Sequence, residues 1–205
     1  MARFTRLTGR VAALPAANID TDVIMPKLFL KGIDREGLAR GLFHDLRFDE
    51  QGQPRPDFLF NRPGMADISF LIVGANFGCG SSREHAVWGL LQYGIRAIIG
   101  SSFAGIFADN SKNNGLLLIE LDPVVLGTIM QSLENATGMI TIDLEAQRID
   151  WADRSAAVDI EPAIRRALML GIDRIGETLA RAEQIRAFEN RYLSENPWLV
   201  ETAGE

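Results

Sequence analysis

Apolar residues in the middle of the chain fall in short unbroken runs, separated by glycines and by stretches with helical spacing. Ile68 to Gly74 (ISFLIVG), Ile95 to Gly100 (IRAIIG) and Leu116 to Leu121 (LLLIEL) lack the alternation of a half-exposed strand. They read as strands covered on both faces. Glu84 to Gly94 (EHAVWGLLQYG) reads as a helix between the first two, and Phe103 to Asn110 as a short helix between the second and third. That alternation predicts an α/β core with parallel pairing. A first strand is expected over roughly Thr8 to Ala13, and a hairpin from Met139–Leu144 and Arg148–Trp151. Two helices follow, Glu161 to Leu170 and Ile172 to Tyr192. In the second, Ile175, Leu179, Ala182, Ile185 and Phe188 recur at three or four residues. They form one apolar stripe that could pack on its own domain or on another chain.

The connections carry polar signals. Asn18 to Pro26 (NIDTDVIMP) reads as a turn whose Asp and Thr side chains bond nearby backbone. Lys27 to Gly32 (KLFLKG) reads as a half-buried helix or strand end, or as a loop offering Leu28, Phe29 and Leu30 to an apolar ligand group. Asp49 to Gly64 is rich in proline and glycine, a long surface connection anchored by Phe58-Leu59-Phe60.

Composition narrows the chemistry. The 205 residues are 47% hydrophobic and 23% charged, with a net charge of -6, which argues against binding nucleic acid through its phosphates. A single cysteine excludes an internal disulfide, and also an iron–sulfur cluster ligated by this chain alone. Two histidines leave little material for a transition-metal site. Arg3, Arg6 and Arg10 before Val11 to Ala17 superficially resemble an export signal, but the apolar part is short and broken by Pro15. No run approaches membrane-spanning length, and the expected compartment is a reducing cytoplasm.

The densest chemistry lies in Gly78-Cys79-Gly80-Ser81-Ser82-Arg83-Glu84-His85-Ala86, between the expected strand and helix. A glycine-rich turn at a helix start presents unpaired N–H groups and the positive end of the dipole to an anion. The spacing is not that of a P-loop, and Gly78 and Gly80 match a dinucleotide fingerprint only weakly. Cys79 between two glycines is read as packing rather than as a nucleophile. Arg83 offers a planar fork suited to a carboxylate, and a serine among such donors could exchange a proton with a bound acid. Glu84 is read as a charge partner of the helix N-terminus and His85 as a structural hydrogen-bonding residue.

Several motifs now line up in one order: Asn18-Ile19-Asp20-Thr21-Asp22 with Pro26, Pro54 to Asn61, Asn76 to Ala86, and Ser102-Phe103-Ala104 with Ile106, Asn110 and Gly115-Leu116-Leu117. In these the chain resembles the small subunits of 3-isopropylmalate dehydratase, a family similar to the mobile C-terminal domain of aconitase. The resemblance implies an α/β swivelling domain with β/β/α layers, a partly parallel sheet and C-terminal helices. Residues 1–205 would form that single domain, with 161–205 as its helical part. It further implies a hydro-lyase of leucine biosynthesis, isomerising 2-isopropylmalate to 3-isopropylmalate through a dehydrated intermediate. The partner would be a separate large subunit with a [4Fe–4S] cluster that acts as a Lewis acid on a hydroxy-dicarboxylate. By this resemblance Ser81 is the general base and Arg83 grips a substrate carboxylate, with Ser82 and loop amides such as that of Gly80 assisting. Thr21 and Asp22 would orient the arginine or serine. The loop from Lys27 to Lys31 would face the group that distinguishes the substrate, Leu28, Phe29 and Leu30 suiting an isopropyl group.

The family pattern is departed from at Asp109 to Asn114, which is unusually polar and has Ser111 where a cysteine is common. A homoaconitase, citramalate or dimethylmaleate hydro-lyase subunit is the alternative within the class. A stand-alone small-acid-binding module is the alternative outside it.

Overall fold

Four of the apolar runs lie side by side as parallel strands. In the computed structural model, which describes residues 2–30, 36–65, 67–133 and 137–199, they are β1 (Arg6–Leu14), β2 (Ile68–Val73), β3 (Ala97–Gly100) and β4 (Leu117–Glu120). Antiparallel β5 (Thr137–Asp143), β6 (Arg148–Trp151) and β7 (Arg154–Ala157) continue the sheet beyond β1. The order in the seven-stranded sheet is β4-β3-β2-β1-β5-β6-β7. Helices are α1 (Thr21–Ile24), α2 (His44–Arg47), α3 (Glu84–Tyr93), α4 (Gly105–Asn114), α5 (Pro123–Gln131), α6 (Pro162–Leu170), α7 (Arg174–Leu179) and α8 (Ala182–Glu195).

The missing alternation has a simple cause. Ala12, Leu71, Val73 and Ile98 face one core, with Ala86, Val87 and Leu90 of α3 and Phe107 of α4. Their neighbours Val11, Ala13, Phe70, Ile72, Ala97 and Ile99 face a second core, closed by Ile129 of α5, Ile140, Ile142, Ile149 and Leu168 of α6. A fully buried Ile or Leu contributes about 1.5 to 3 kcal/mol, so both faces hold the parallel strands in place. The first core also takes Met25, Leu42, Phe43, Leu59 and Phe60 from the long connections. The Phe58 to Phe60 island does anchor its loop.

Several elements differ from the sequence reading. Helix α5 is absent from that reading, although Asp122 caps it through the Val124 N–H at 2.8 Å and Pro123 opens it. Strand β7 is absent from it too. α4 runs four residues past Asn110, ending before Gly115 in the left-handed conformation. The segment read as one helix from Ile172 to Tyr192 is two, α7 and α8, and nothing in the local Ala180-Arg181 sequence dictates the break. The apolar stripe enters neither core: Ile175 is 70% exposed and Phe188 55%. No helix among the described residues is long and apolar enough to cross a membrane.

Candidate active site

Because β1, β2 and β3 are parallel, the segments that follow them emerge at one edge of the sheet, where α/β folds bind ligands. The segment after β2 is the glycine-rich turn, and its neighbours stitch it down on both sides. On the β1 side, the Asn18 N–H donates to the Ala75 carbonyl at 2.8 Å, Gly78 N–H to Ile19 at 2.8 Å, and Thr21 N–H to Cys79 at 2.9 Å. On the β3 side, Ala104 N–H donates to Phe77 at 3.0 Å and Asn76 N–H to the Ser102 hydroxyl at 2.9 Å. Gly78 has φ +78°, and a Cβ there would lie 2.2 Å from Cγ of Phe107, so only glycine fits.

Thr21, 1% exposed, opens α1 behind Asp20, whose carboxylate caps the helix through the Val23 N–H at 2.7 Å. Its hydroxyl accepts from the Ser81 N–H at 3.1 Å and donates to the Ser81 carbonyl at 3.0 Å. One side chain therefore clamps both polar ends of Ser81, while Ser81 and Ser82 themselves remain exposed. Next along the turn, Arg83 is 10% exposed at its side chain and pairs through Nη1 with Oδ1 of Asp22. The same nitrogen reaches the Met25 carbonyl at 3.4 Å. The hydrogen bond from Arg83 holds the Asp22 carboxyl below its ordinary range against some desolvation, with Lys27 adding to the effect. Among the described residues the Arg83 side chain donates only through Nη1, and the N–H groups of Gly80 and Ser82 bond no acceptor. The turn thus combines free amides, two exposed serines and the unpaired donors of a fixed guanidinium, a donor set for a carboxylate.

The remaining sequence candidates divide. Lys27 to Leu30 form a 3₁₀ turn that follows the Met25 carbonyl within a few residues. Leu28 is 66% exposed, whereas Phe29 and Leu30 pack against the first core and Phe29 lies 5.0 Å from the His44 ring. Lys31 lies outside the described residues. Cys79 is half-buried and joins the site through its backbone carbonyl. Glu84 stands in the first turn of α3, and among the described residues the contact shown for the His85 side chain is with the Trp88 ring, at 4.7 Å.

Two contributors have no site role in the sequence reading, although Asn110 stands among its family motif residues. Asn114 Nδ2 donates to Glu84 Oε1 at 2.6 Å, and Asn110 Nδ2 reaches the Ser82 carbonyl at 3.5 Å. They stand one helical turn apart on α4, a spacing visible in the polar stretch from Asp109 to Asn114. Among the described residues no group of three or more His, Cys, Asp or Glu side chains is placed to hold a metal ion. A cavity of about 460 Å³ between β1, β5 and β6, lined by Thr8, Met139, Asp150 and Trp151 among others, shares no residue with the turn.

Residues 1–124 match the aconitase C-terminal domain, and residues 175–202 match the C-terminal domain of the 3-isopropylmalate dehydratase small subunit. The 3-isopropylmalate dehydratase small subunit 1 of Mannheimia succiniciproducens is 50% identical over 200 residues, covering 97% of this chain and 99% of that protein. Small subunit 2 of Salmonella typhimurium is 49% identical over 204 residues, 99% of this chain and 98% of that one. The crystal structure of 3-isopropylmalate dehydratase from Methanocaldococcus jannaschii superposes with a TM-score of 0.67 at 25% identity, over 90% of this chain and 99% of that chain. Near-complete coverage at about half identity leaves one assignment: the chain belongs to the 3-isopropylmalate dehydratase small subunits, built on the aconitase C-terminal domain.

Proposed function

We propose that this chain supplies the serine base and the carboxylate-gripping arginine of a 3-isopropylmalate dehydratase, working in the cytoplasm with a separate large subunit. One observation carries the reading: Thr21 clamps the backbone of an exposed Ser81, two residues from an Arg83 that Asp22 holds in place. The chain acts as one swivelling domain whose helical end begins at 161; of that 161–205 part, residues 200–205 lie outside the described residues.

In dehydration a proton leaves the carbon next to the one bearing hydroxyl and isopropyl groups, and hydroxide leaves the latter. Water then adds to the double bond the other way round, so the hydroxyl has moved one carbon and the isopropyl group has not. Ser81 Oγ takes the proton from carbon and later returns one. Its alkoxide is stabilised by the free amides of the turn and by Arg83, which also grips a substrate carboxylate. Ser82 and the Gly80 N–H assist that grip. Asp22 and Thr21 fix the arginine and the serine before substrate arrives, so orientation is not lost during reaction. Leu28, exposed three residues beyond the Met25 carbonyl that Arg83 reaches, meets the isopropyl group.

With a single cysteine, this chain does not fit a cluster of its own. We place the [4Fe–4S] cluster in the large subunit, where it supplies Lewis acidity toward the substrate hydroxyl. The open turn agrees with a site completed by a second chain. The test is Ser81→Ala in the reconstituted complex. Assembly should be unchanged and turnover abolished, whereas retained turnover removes Ser81 from the base role.

A further inference from the structure

Glu84 sets a negative charge beside a turn suited to an anion. It follows Arg83, begins α3 and borders a turn whose free donors suit an anion. A carboxylate in the first helical turn is favourable to the helix dipole, but here it could also reach for the guanidinium that the substrate needs. The structure sends it elsewhere. Asn114, the last residue of α4, donates from Nδ2 to Glu84 Oε1 at 2.6 Å and to the Asn110 carbonyl at 2.9 Å. Its Oδ1 accepts from Trp88 Nε1 at 2.9 Å. An indole N–H can only donate, so the amide oxygen must face Trp88 and the NH₂ must face Glu84. Every hydrogen-bonding atom of the Asn114 side chain is therefore engaged in one orientation.

We propose that Asn114 is a positioning residue that latches the Glu84 carboxylate onto α4 and keeps it off Arg83, leaving the guanidinium edge free for a substrate carboxylate. This rests on reading the turn as a dicarboxylate site. Released, Glu84 would form a charge-assisted bond to the neighbouring arginine, and substrate would have to displace it. Competition of that kind weakens ground-state and transition-state binding alike, so it raises KM and spares kcat.

The test uses the complex reconstituted with its large subunit and compares Asn114→Ala, Glu84→Gln and the double variant. Asn114→Ala should raise KM for isopropylmalate about tenfold with little change in kcat. Glu84→Gln keeps an acceptor for Asn114 and should leave KM near the wild-type value. In the double variant the competitor is gone, so KM should return toward wild type. A purely structural role makes the double variant no better than Asn114→Ala, and that result overturns the proposal, as does an unchanged KM in Asn114→Ala. Should Asn114→Ala fail to fold, Asn114→Asp keeps shape and the Trp88 bond while repelling Glu84; its KM should rise and be relieved by Glu84→Gln. A wild-type complex that does not bind isopropylmalate overturns the underlying reading and the proposal with it, and this is seen before any variant is made.

Discussion

Replacing Thr21 by valine separates holding the fold together from holding the serine in place. The hydroxyl makes two hydrogen bonds to the Ser81 backbone, at 3.1 and 3.0 Å, and Thr21 is 1% exposed. Valine fills the same volume, so no cavity opens, and each neutral hydrogen bond contributes about 1 kcal/mol net. Ser81 is exposed and its carbonyl still accepts from the Arg83 N–H at 2.9 Å, so water can satisfy what the hydroxyl leaves. The expected stability loss is about 1 to 2 kcal/mol, a fall in Tm of about 2 to 8 °C for a chain of this size. Turnover should respond far more, because a displacement on the order of 1 Å in a reacting group costs about 100-fold. The assay is interconversion of the isopropylmalates by the assembled complex, followed through absorbance of the unsaturated intermediate, with melting measured on the same samples. Thr21→Ser retains the hydroxyl and should recover most of the rate. If Thr21→Val assembles, melts a few degrees lower and turns over like wild type, the clamp does not position Ser81 for chemistry.

Further outcomes follow from the neighbouring contacts. Asp22 has its pKa lowered in the fold, so its contribution to stability is complete above the unfolded carboxylate value of about 3.9 and is lost as pH falls through the lower folded value. The wild type should therefore show an acid-unfolding component that Asp22→Asn lacks; parallel pH curves for the two would remove the pair as its source. Gly78→Ala meets both a positive φ and a Cβ contact of 2.2 Å, costing about 2 to 6 kcal/mol, whereas at Gly80, with φ +91° but 3.4 Å of room, only the backbone strain of about 1 to 3 kcal/mol applies. Denaturant midpoints that fall equally in the two variants would contradict the assigned role of Phe107. Leu28→Arg alters an exposed side chain and should change stability by less than about 0.5 kcal/mol. It should nonetheless shift kcat/KM from isopropylmalate toward an acid with a third carboxylate, and an unchanged ratio would separate Leu28 from substrate choice.

What the sequence makes legible is set by how local each signal is. The parallel strands can be read because burial on both faces leaves continuous apolar runs, and the turn because glycines at positive φ have few substitutes. Helix α5 has a readable cap in Asp122-Pro123, a local signal that the apolar runs on either side overshadow. The division between α7 and α8 has no such mark, since Ala180 and Arg181 are good helix formers. Contacts across the chain are of another kind. Thr21 and Ser81 are 60 positions apart, Asp22 and Arg83 61, and Glu84 and Asn114 30. Hydrophobic pattern alone holds no information on such pairs. The first two come into view only through family resemblance, and the third needs the topology that lays α4 beside α3.

The site combines a closely determined backbone with an open face. Hydrogen bonds from the segments after β1 and β3 fix the turn, yet both of its serines are exposed, and its Gly80 and Ser82 amides are unpaired among the described residues. An anion site that worked alone would gain affinity by enclosing its ligand, since desolvation strengthens each polar contact. Here no described residue covers the two serines, and what the described residues provide is orientation. That is the arrangement needed when a second surface supplies both the electrophile and the exclusion of water. On the proposed reading, domain closure converts an exposed donor set of modest strength into a desolvated one only when substrate and large subunit are both present. The free chain should then bind isopropylmalate weakly, and the complex much more tightly; calorimetry on each would decide it. Equal affinities would mean that the turn is already a complete binding site, and the argument from its openness would fail.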